Sequence, residues 1–356
     1  MKKLNRREAV KHLSMLAAGV SLASETAYAA NAKPETGLGI VMYDCKFRRA
    51  LLRNQDKSVD LYEPFRFLRH CHLLGAGGAH VGLGAMSSAK AGKFRDEAAR
   101  YGMFVDAILS PPKDERDLPR FEAEVKAASE VGVQSARTVI IPGRRYERFK
   151  SFEEFQAFER RGRRMVELAV PIVEKFRVPL AIENHKDQRI EDRVKLYDHI
   201  DSEYVGACVD TGNSFALLDD VYGSIEALAP FAFSVHFKDQ ALTEYADGFL
   251  LGDIPLGQGS FDLKRMMTIL RTKKPELNFS LEVITRDPLR VPCLKDDYWK
   301  SVAEASGSDL ARSLRFVRNH QAKGQTISTL PLAKQVEYED ANIAASLKYA
   351  RQELGL

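Results

Sequence analysis

Cysteine is scarce and badly spaced for a cluster. Cys45, Cys71, Cys208 and Cys293 are the only four in 356 residues. No two are close enough for a zinc knuckle or a C-x-x-C redox pair. The expectation is four free or buried thiols, with Cys208 inside a strand. Tryptophan is limited to Trp299. No apolar run reaches the roughly 18 residues that span a bilayer, so stable membrane insertion of the mature chain is not expected. Repeats and low-complexity tracts are also missing, which argues against a solenoid or a disordered scaffold.

Charge of one sign is lacking as well. The net charge is +4, and residues 1–30 hold five basic and two acidic side chains, leaving the remainder near +1. A nucleic-acid partner would need a basic field that is not there. Residues 1–30 have the form of a signal peptide: Lys2, Lys3, Arg6, Arg7 and Lys11, an apolar run from Leu13 to Ala23, then Ala27-Tyr28-Ala29. Asn5-Arg6-Arg7-Glu8-Ala9-Val10-Lys11 resembles the twin-arginine export signal, with Ala9 and Val10 in place of the usual Phe and Leu. A periplasmic or secreted protein is the expectation.

What is present is a strand that ends on a carboxylate. Residues 178–187 read Val-Pro-Leu-Ala-Ile-Glu-Asn-His-Lys-Asp, with Glu183 where the apolar run breaks into a polar loop. The device recurs at Asp210, His236 and Glu282. Two residues before each ligand, on the same face of the strand, stand Ala181, Cys208, Ser234 and Ser280, all small. The opposite face carries Ile182, Val209, Val235 and Leu281. Small side chains inside and aliphatic ones outside fit a closed parallel barrel with functional groups at its C-terminal rim.

The rest of the chain alternates strand and helix. Strands are expected near 39–43, 79–83, 103–109 and 135–141, and helices near 63–74, 90–101, 118–131, 152–176, 193–200, 220–229, 263–271 and 309–321. The fold class is α/β, a (β/α)8 TIM barrel over 37–322 with a C-terminal helical tail over 323–356. The tail helix, near 332–353, would cap the barrel bottom or cross to a partner in a homo-oligomer. Glu183, Asp210 and His236 are spaced by 27 and 26 residues, whereas His236 and Glu282 lie 46 apart. The excess, 240–260, reads as a hairpin over the barrel mouth, either a lid or a loose surface loop.

Two glutamates, an aspartate and a histidine form an oxygen-rich set suited to one divalent ion, Mn, Mg, Co or Fe in preference to Zn. Such an ion, with two open positions, stabilises the oxyanion formed when the carbon beside a carbonyl loses its proton, and Glu183 and Glu282 are candidate acid and base.

Ile-Glu-Asn-His (182–185), Val-Asp-Thr-Gly-Asn (209–213), Val-His-Phe-Lys-Asp (235–239), Leu-Gly-Gln-Gly-Ser-Phe-Asp (256–262) and Leu-Glu-Val (281–283) resemble the xylose isomerase-like TIM barrel superfamily, in its sugar phosphate isomerase and epimerase branch. The resemblance implies that Glu183, Asp210, His236 and Glu282 are the metal ligands. It implies also that the two glutamates work through an enediolate, with Lys238 and Asp239 behind the ligands or on substrate. Asn213 stands where many members have His, and Gly82 where many have Glu. The apurinic-site endonucleases of the same superfamily require a histidine-rich three-zinc cluster; no histidine lies between His236 and Glu282.

Candidate substrate-binding residues are His185, Lys238, Asn213 and Trp299. His185 either meets a sugar hydroxyl or orients Asn184, and Trp299 either stacks on a sugar or packs between loop and barrel. His80 is expected to be a satisfied core histidine. Arg144 and Arg145 either meet an anionic substrate or lie exposed at a helix entrance. The expected function is isomerisation or epimerisation of a sugar or keto-sugar. A lyase or hydratase acting on a keto-sugar or 3-keto-glycoside is one alternative, and a non-catalytic carbohydrate-binding barrel another.

Overall fold

The computed structural model describes residues 33–356, so the signal peptide expected over residues 1–30 lies outside the described residues. In chain order its strands are β1 (Gly39–Val41), β2 (Gly78–Val81), β3 (Phe104–Ile108), β4 (Ala136–Thr138), β5 (Leu180–Glu183), β6 (Val205–Asp210), β7 (Ala232–Phe237), β8 (Asp239–Tyr245), β9 (Gly248–Ile254), β10 (Phe279–Leu281) and β11 (Leu289–Val291). The first seven and β10 pair in parallel and close into a barrel, β10 returning to β1. This is the expected (β/α)8 TIM barrel.

Strand parity is as the sequence implies. Ala181, Cys208, Ser234 and Ser280 are buried in the interior, while Ile182, Val209, Val235 and Leu281 join the apolar layer under the helices. Phe104, half-buried at the start of β3, sets its ring against Gly39 and Gly78. A Cβ added to Gly78 would lie 2.4 Å from its ring, and one on Gly39 2.7 Å. These two glycines are what lets an aromatic ring stand inside so narrow a barrel. The four cysteines are free and buried, also as expected.

Residues 240–260 are not a loose loop. β8 and β9 form an antiparallel hairpin, and β11 adds a third strand to it. Phe249 and Leu251 are buried, and Phe249 packs against Phe215, which also meets Phe316. Phe316 belongs to the helix Gly307–Asn319, which therefore lies against the hairpin sheet instead of standing as the eighth helix of the ring.

The tail helix Leu332–Tyr349 does not cap the barrel bottom. It lies along a helix not anticipated from sequence, Lys46–Gln55. Its Glu339 accepts hydrogen bonds from Phe47 N and Arg48 N, both at 2.8 Å, and so caps that neighbour's first turn. In the turn Ala350–Leu354 that follows it, Glu353 meets Lys264 from the helix Leu263–Lys273. The tail thus fills the gap between the last and first helices of the ring. Among the described residues no helix is long and apolar enough to cross a membrane.

Candidate metal centre at the barrel mouth

Each candidate ligand is fixed by its own strand end. Asp210 closes β6, and its Oδ1 accepts from Gly212 N at 2.9 Å and Asn213 N at 2.8 Å. That turn aims Oδ2 at the site. Asn184, the residue after Glu183, clamps the same backbone: its Oδ1 accepts from Asp210 N at 2.7 Å and its Nδ2 donates to Asp210 O at 2.8 Å. Glu183 accepts from Asn213 Nδ2 at 3.0 Å through Oε1 and from Arg137 Nε at 2.5 Å through Oε2. Asn213, in the place of the family's frequent histidine, therefore holds the carboxylate of Glu183.

His236 is oriented by a chain of two imidazoles. His80 Nε2 lies 3.2 Å from Ala107 O, which can only accept, so this nitrogen carries a proton. Burial, with His236 and Arg137 adding to it, holds His80 well below its ordinary pKa, so its Nδ1 is bare. The His236 Nε2–H then donates to His80 Nδ1 across 3.2 Å. What remains is His236 Nδ1, buried and without a hydrogen-bond partner, 3.4 Å from Glu183 Oε2 and 3.6 Å from Glu282 Oε2. His80 is the satisfied core histidine expected, and it also orients the candidate ligand His236.

One ligand atom from each of Glu183, Asp210, His236 and Glu282 can be chosen so that all lie within 4.8 Å of one another. A single divalent ion with bonds of about 2.1 Å closes such a span with a small inward movement of its ligands. The residues thus fit a divalent ion, and the orphaned Nδ1 points to where it would bind.

Protein groups face the charges of the site. Lys238 Nζ lies 2.8 Å from Asp210 Oδ2 and 2.5 Å from Glu282 Oε2. Burial pushes Asp210 up to about 7 despite that lysine, with Glu282 and Glu183 adding to the rise. Burial acts the same way on Glu183 but loses to Arg137 and His236, which hold it at about 2. His236 is pushed well above its usual value, burial being outweighed by Cys208, Glu282 and Glu183. His236 Nδ1 would have to give up that proton to hold a cation.

The remaining candidates divide. Lys238 and Asn213 face the centre, and Lys238 Nζ is 3.4 Å from Asn213 Oδ1. His185 is half-buried on the loop after β5, its Nδ1 3.0 Å from Gly143 O. Trp299 donates to Cys293 O at 3.0 Å and packs edge-on against Tyr298, so its contacts are those of the packing role. Asp239 is an anchor: its carboxylate accepts from Gly257 N, Gly259 N and Phe261 N, tying down the return of the hairpin. Arg145 corrects the expectation of an exposed or substrate-facing arginine. It is fully buried, paired with Glu304 at 2.6 Å, its guanidinium 3.4 Å over the Phe155 ring.

Two residues were missed. Arg137 lies in β4, and an arginine inside a short buried strand is itself a signal that a carboxylate is waiting. Lys186 is buried in the loop after β5 with its ammonium on Asn213 Oδ1; nothing in the sequence distinguishes it from a solvated loop lysine.

Comparison with known proteins agrees with this architecture. The family model described as xylose isomerase-like TIM barrel matches residues 74–319. A 3-oxo-isoapionate decarboxylase from Pectobacterium atrosepticum is 27% identical over 120 residues, 33% of this chain and 44% of the relative. The chain thus matches less than half the length of that curated relative. A D-psicose 3-epimerase crystallised in the presence of D-fructose superposes with a TM-score of 0.53 at 15% identity, over 84% of this chain and 95% of the other. A xylose isomerase-like TIM barrel protein from Mycobacterium smegmatis, in complex with magnesium, gives 0.50 at 14% identity, over 81% and 98%. At these identities the likeness is one of fold.

Proposed function

The chain belongs to the xylose isomerase-like TIM barrel family, and from that premise we propose that it is a metal-dependent enzyme moving a proton beside the carbonyl of a sugar or keto-sugar, as an isomerase or epimerase. The observation that carries this reading is the convergence of Glu183, Asp210, His236 and Glu282 at the C-terminal ends of β5, β6, β7 and β10, with the buried His236 Nδ1 left without a hydrogen-bond partner. A bound divalent ion, Mn, Mg, Co or Fe in preference to Zn, supplies Lewis acidity toward a carbonyl and its neighbouring hydroxyl oxygen.

The protein groups do the rest. Glu183 and Glu282 flank the His236 ring edge, so a substrate carbon between them can lose its proton to one carboxylate and regain it from the other. Arg137 and Asn213 hold Glu183 in place. Lys238, between Asp210 and Glu282, is within reach to donate to substrate oxygens.

A second reading is favoured by the decarboxylase relative: the enolate forms by loss of CO2 from a keto-acid, or one formed by proton loss expels the aglycone of a 3-keto-glycoside, and either would make the enzyme a lyase. NMR product analysis in D2O over ketoses, aldoses, keto-acids and 3-keto-glycosides distinguishes the two. Deuterium at the carbon beside the carbonyl with an intact skeleton supports isomerase or epimerase chemistry; loss of a carboxylate or aglycone supports the lyase. No conversion by the Mn2+-loaded protein across the panel counts against both. Export through the leader is part of the proposal, and fractionation of cells making the full chain tests it; retention in the cytoplasm refutes it.

A further inference from the structure

We propose that the substrate is an acid, a keto-sugar carrying a carboxylate, and that Lys186 is the counter-ion of that carboxylate. Five lysine and arginine side chains are buried among the described residues: Arg137, Arg145, Lys186, Arg193 and Lys238. Four have carboxylate partners within the fold. Arg137 is on Glu183, Arg145 on Glu304, Arg193 on Asp187, and Lys238 on Asp210 and Glu282. Lys186, 3% exposed, makes no ion pair among the described residues, and its ammonium rests on the neutral Asn213 Oδ1. A buried cation without an anion is strongly unfavourable, so the missing partner is expected from outside the chain.

The charge balance of the site points the same way. The nearby Asp253 does not serve Lys186, because Arg286 at 2.9 Å and Gln240 at 3.0 Å take its two oxygens. Glu183, Asp210 and Glu282 carry three negative charges. A divalent ion together with Arg137 and Lys238 already exceeds them by one, and Lys186 adds another. A neutral ketose leaves that excess in the ground state; an acid offsets it on binding. Burial, with Lys238 and Arg286 close by, pulls Lys186 down to about 8, although Asp210 and Asp253 act the other way. Arg286, held by Asp253, also lines a surface cleft of about 400 Å³ with Lys46 and Asp287. Asp287 in that cleft is engaged by Ile327 N and by Ser328.

This inference rests on the metal-dependent reading above, and calorimetry on the full chain keeps the two apart. Mn2+ is titrated first. The Mn2+-loaded protein is then titrated with two matched pairs, 2-keto-D-gluconate against D-fructose and 5-keto-D-gluconate against L-sorbose. Each pair differs only in carboxylate for hydroxymethyl, next to the ketone in one and far from it in the other. The expected result is that the acid of at least one pair binds about tenfold or more tightly than its ketose, as a charge-assisted hydrogen bond warrants. Lys186→Met should abolish that preference with its Mn2+ stoichiometry intact, and Lys186→Arg should restore part of it. Equal or weaker binding of both acids, no binding of either, or a preference that survives in Lys186→Met overturns the proposal. D-fructose 6-phosphate binding more tightly than both acids also overturns it, in favour of a phosphate. Failure of Mn2+ itself to bind refutes the metal-dependent reading, and with it the charge balance used here.

Discussion

Removing the His80 ring tests whether the imidazole chain holds the candidate metal ligand His236, because His80 Nδ1 is the acceptor that keeps the His236 proton on Nε2. In His80→Ala the His236 ring is free to rotate and to place its proton on Nδ1, toward Glu183 and Glu282. The loss of such an orienting partner weakens metal affinity about ten- to a hundredfold, equivalent to about 1.4 to 2.7 kcal/mol. The same change empties a fully buried site and should lower global stability by roughly 2 to 4 kcal/mol. His80→Asn separates the two effects, since its side-chain oxygen can lie near the position of Nδ1 while most of the ring is still lost. Calorimetric titration with Mn2+, beside thermal melts of the metal-free proteins, should show both variants destabilised but only His80→Ala strongly impaired in binding. A His80→Ala protein that melts early yet binds Mn2+ as tightly as wild type would refute the orienting role and leave His80 as packing alone.

Three further outcomes are expected. Glu183→Gln and Glu282→Gln should each retain substantial Mn2+ by elemental analysis yet lose turnover on the order of a hundredfold or more; near-normal turnover in both would remove them from proton transfer. Mn2+ affinity should rise as pH climbs toward and past 7. Asp210, pushed up to about 7, and His236, pushed well above its usual value, must both shed protons to bind, so the ion competes with protons at low pH; a flat affinity between pH 5.5 and 8 (about that window) would contradict this. Gly78→Ala puts a methyl group 2.4 Å from the Phe104 ring, and overpacking of that kind lowers stability by about 1 to 3 kcal/mol; an unchanged melting temperature would mean that the barrel interior gives way easily.

Much of the site was legible in the sequence because strand periodicity is a local property. A carboxylate or imidazole at a strand end, with a small residue two places before it, is enough to place Glu183, Asp210, His236 and Glu282 on one rim of a parallel barrel. Capping and breaker residues act over a few positions, so the helices Leu118–Val131 and Phe152–Phe176 fall where their patterns put them. The glycine-rich run 256–262 was recognisable as a motif, but not as the cradle of backbone N–H groups around Asp239 that it forms.

Tertiary structure alone decided the rest, and the reason is that burial and pairing are relations between distant segments. Lys46–Gln55 has no side-chain cap of its own; Glu339, nearly 300 residues later, satisfies its first turn. Both the helix expected in the eighth place and the tail changed position, because a third strand and an aromatic cluster drew Gly307–Asn319 onto the hairpin. Arg137, Arg145 and Lys186 look alike in composition, as polar residues in or beside loops and strands. Only the fold shows that two of them bury against a carboxylate and that the third buries without one. Local pattern determined which side chains reach the barrel mouth. The packing of remote segments determined the charge that surrounds them, since the free energy of a buried charge depends on neighbours that no stretch of sequence contains.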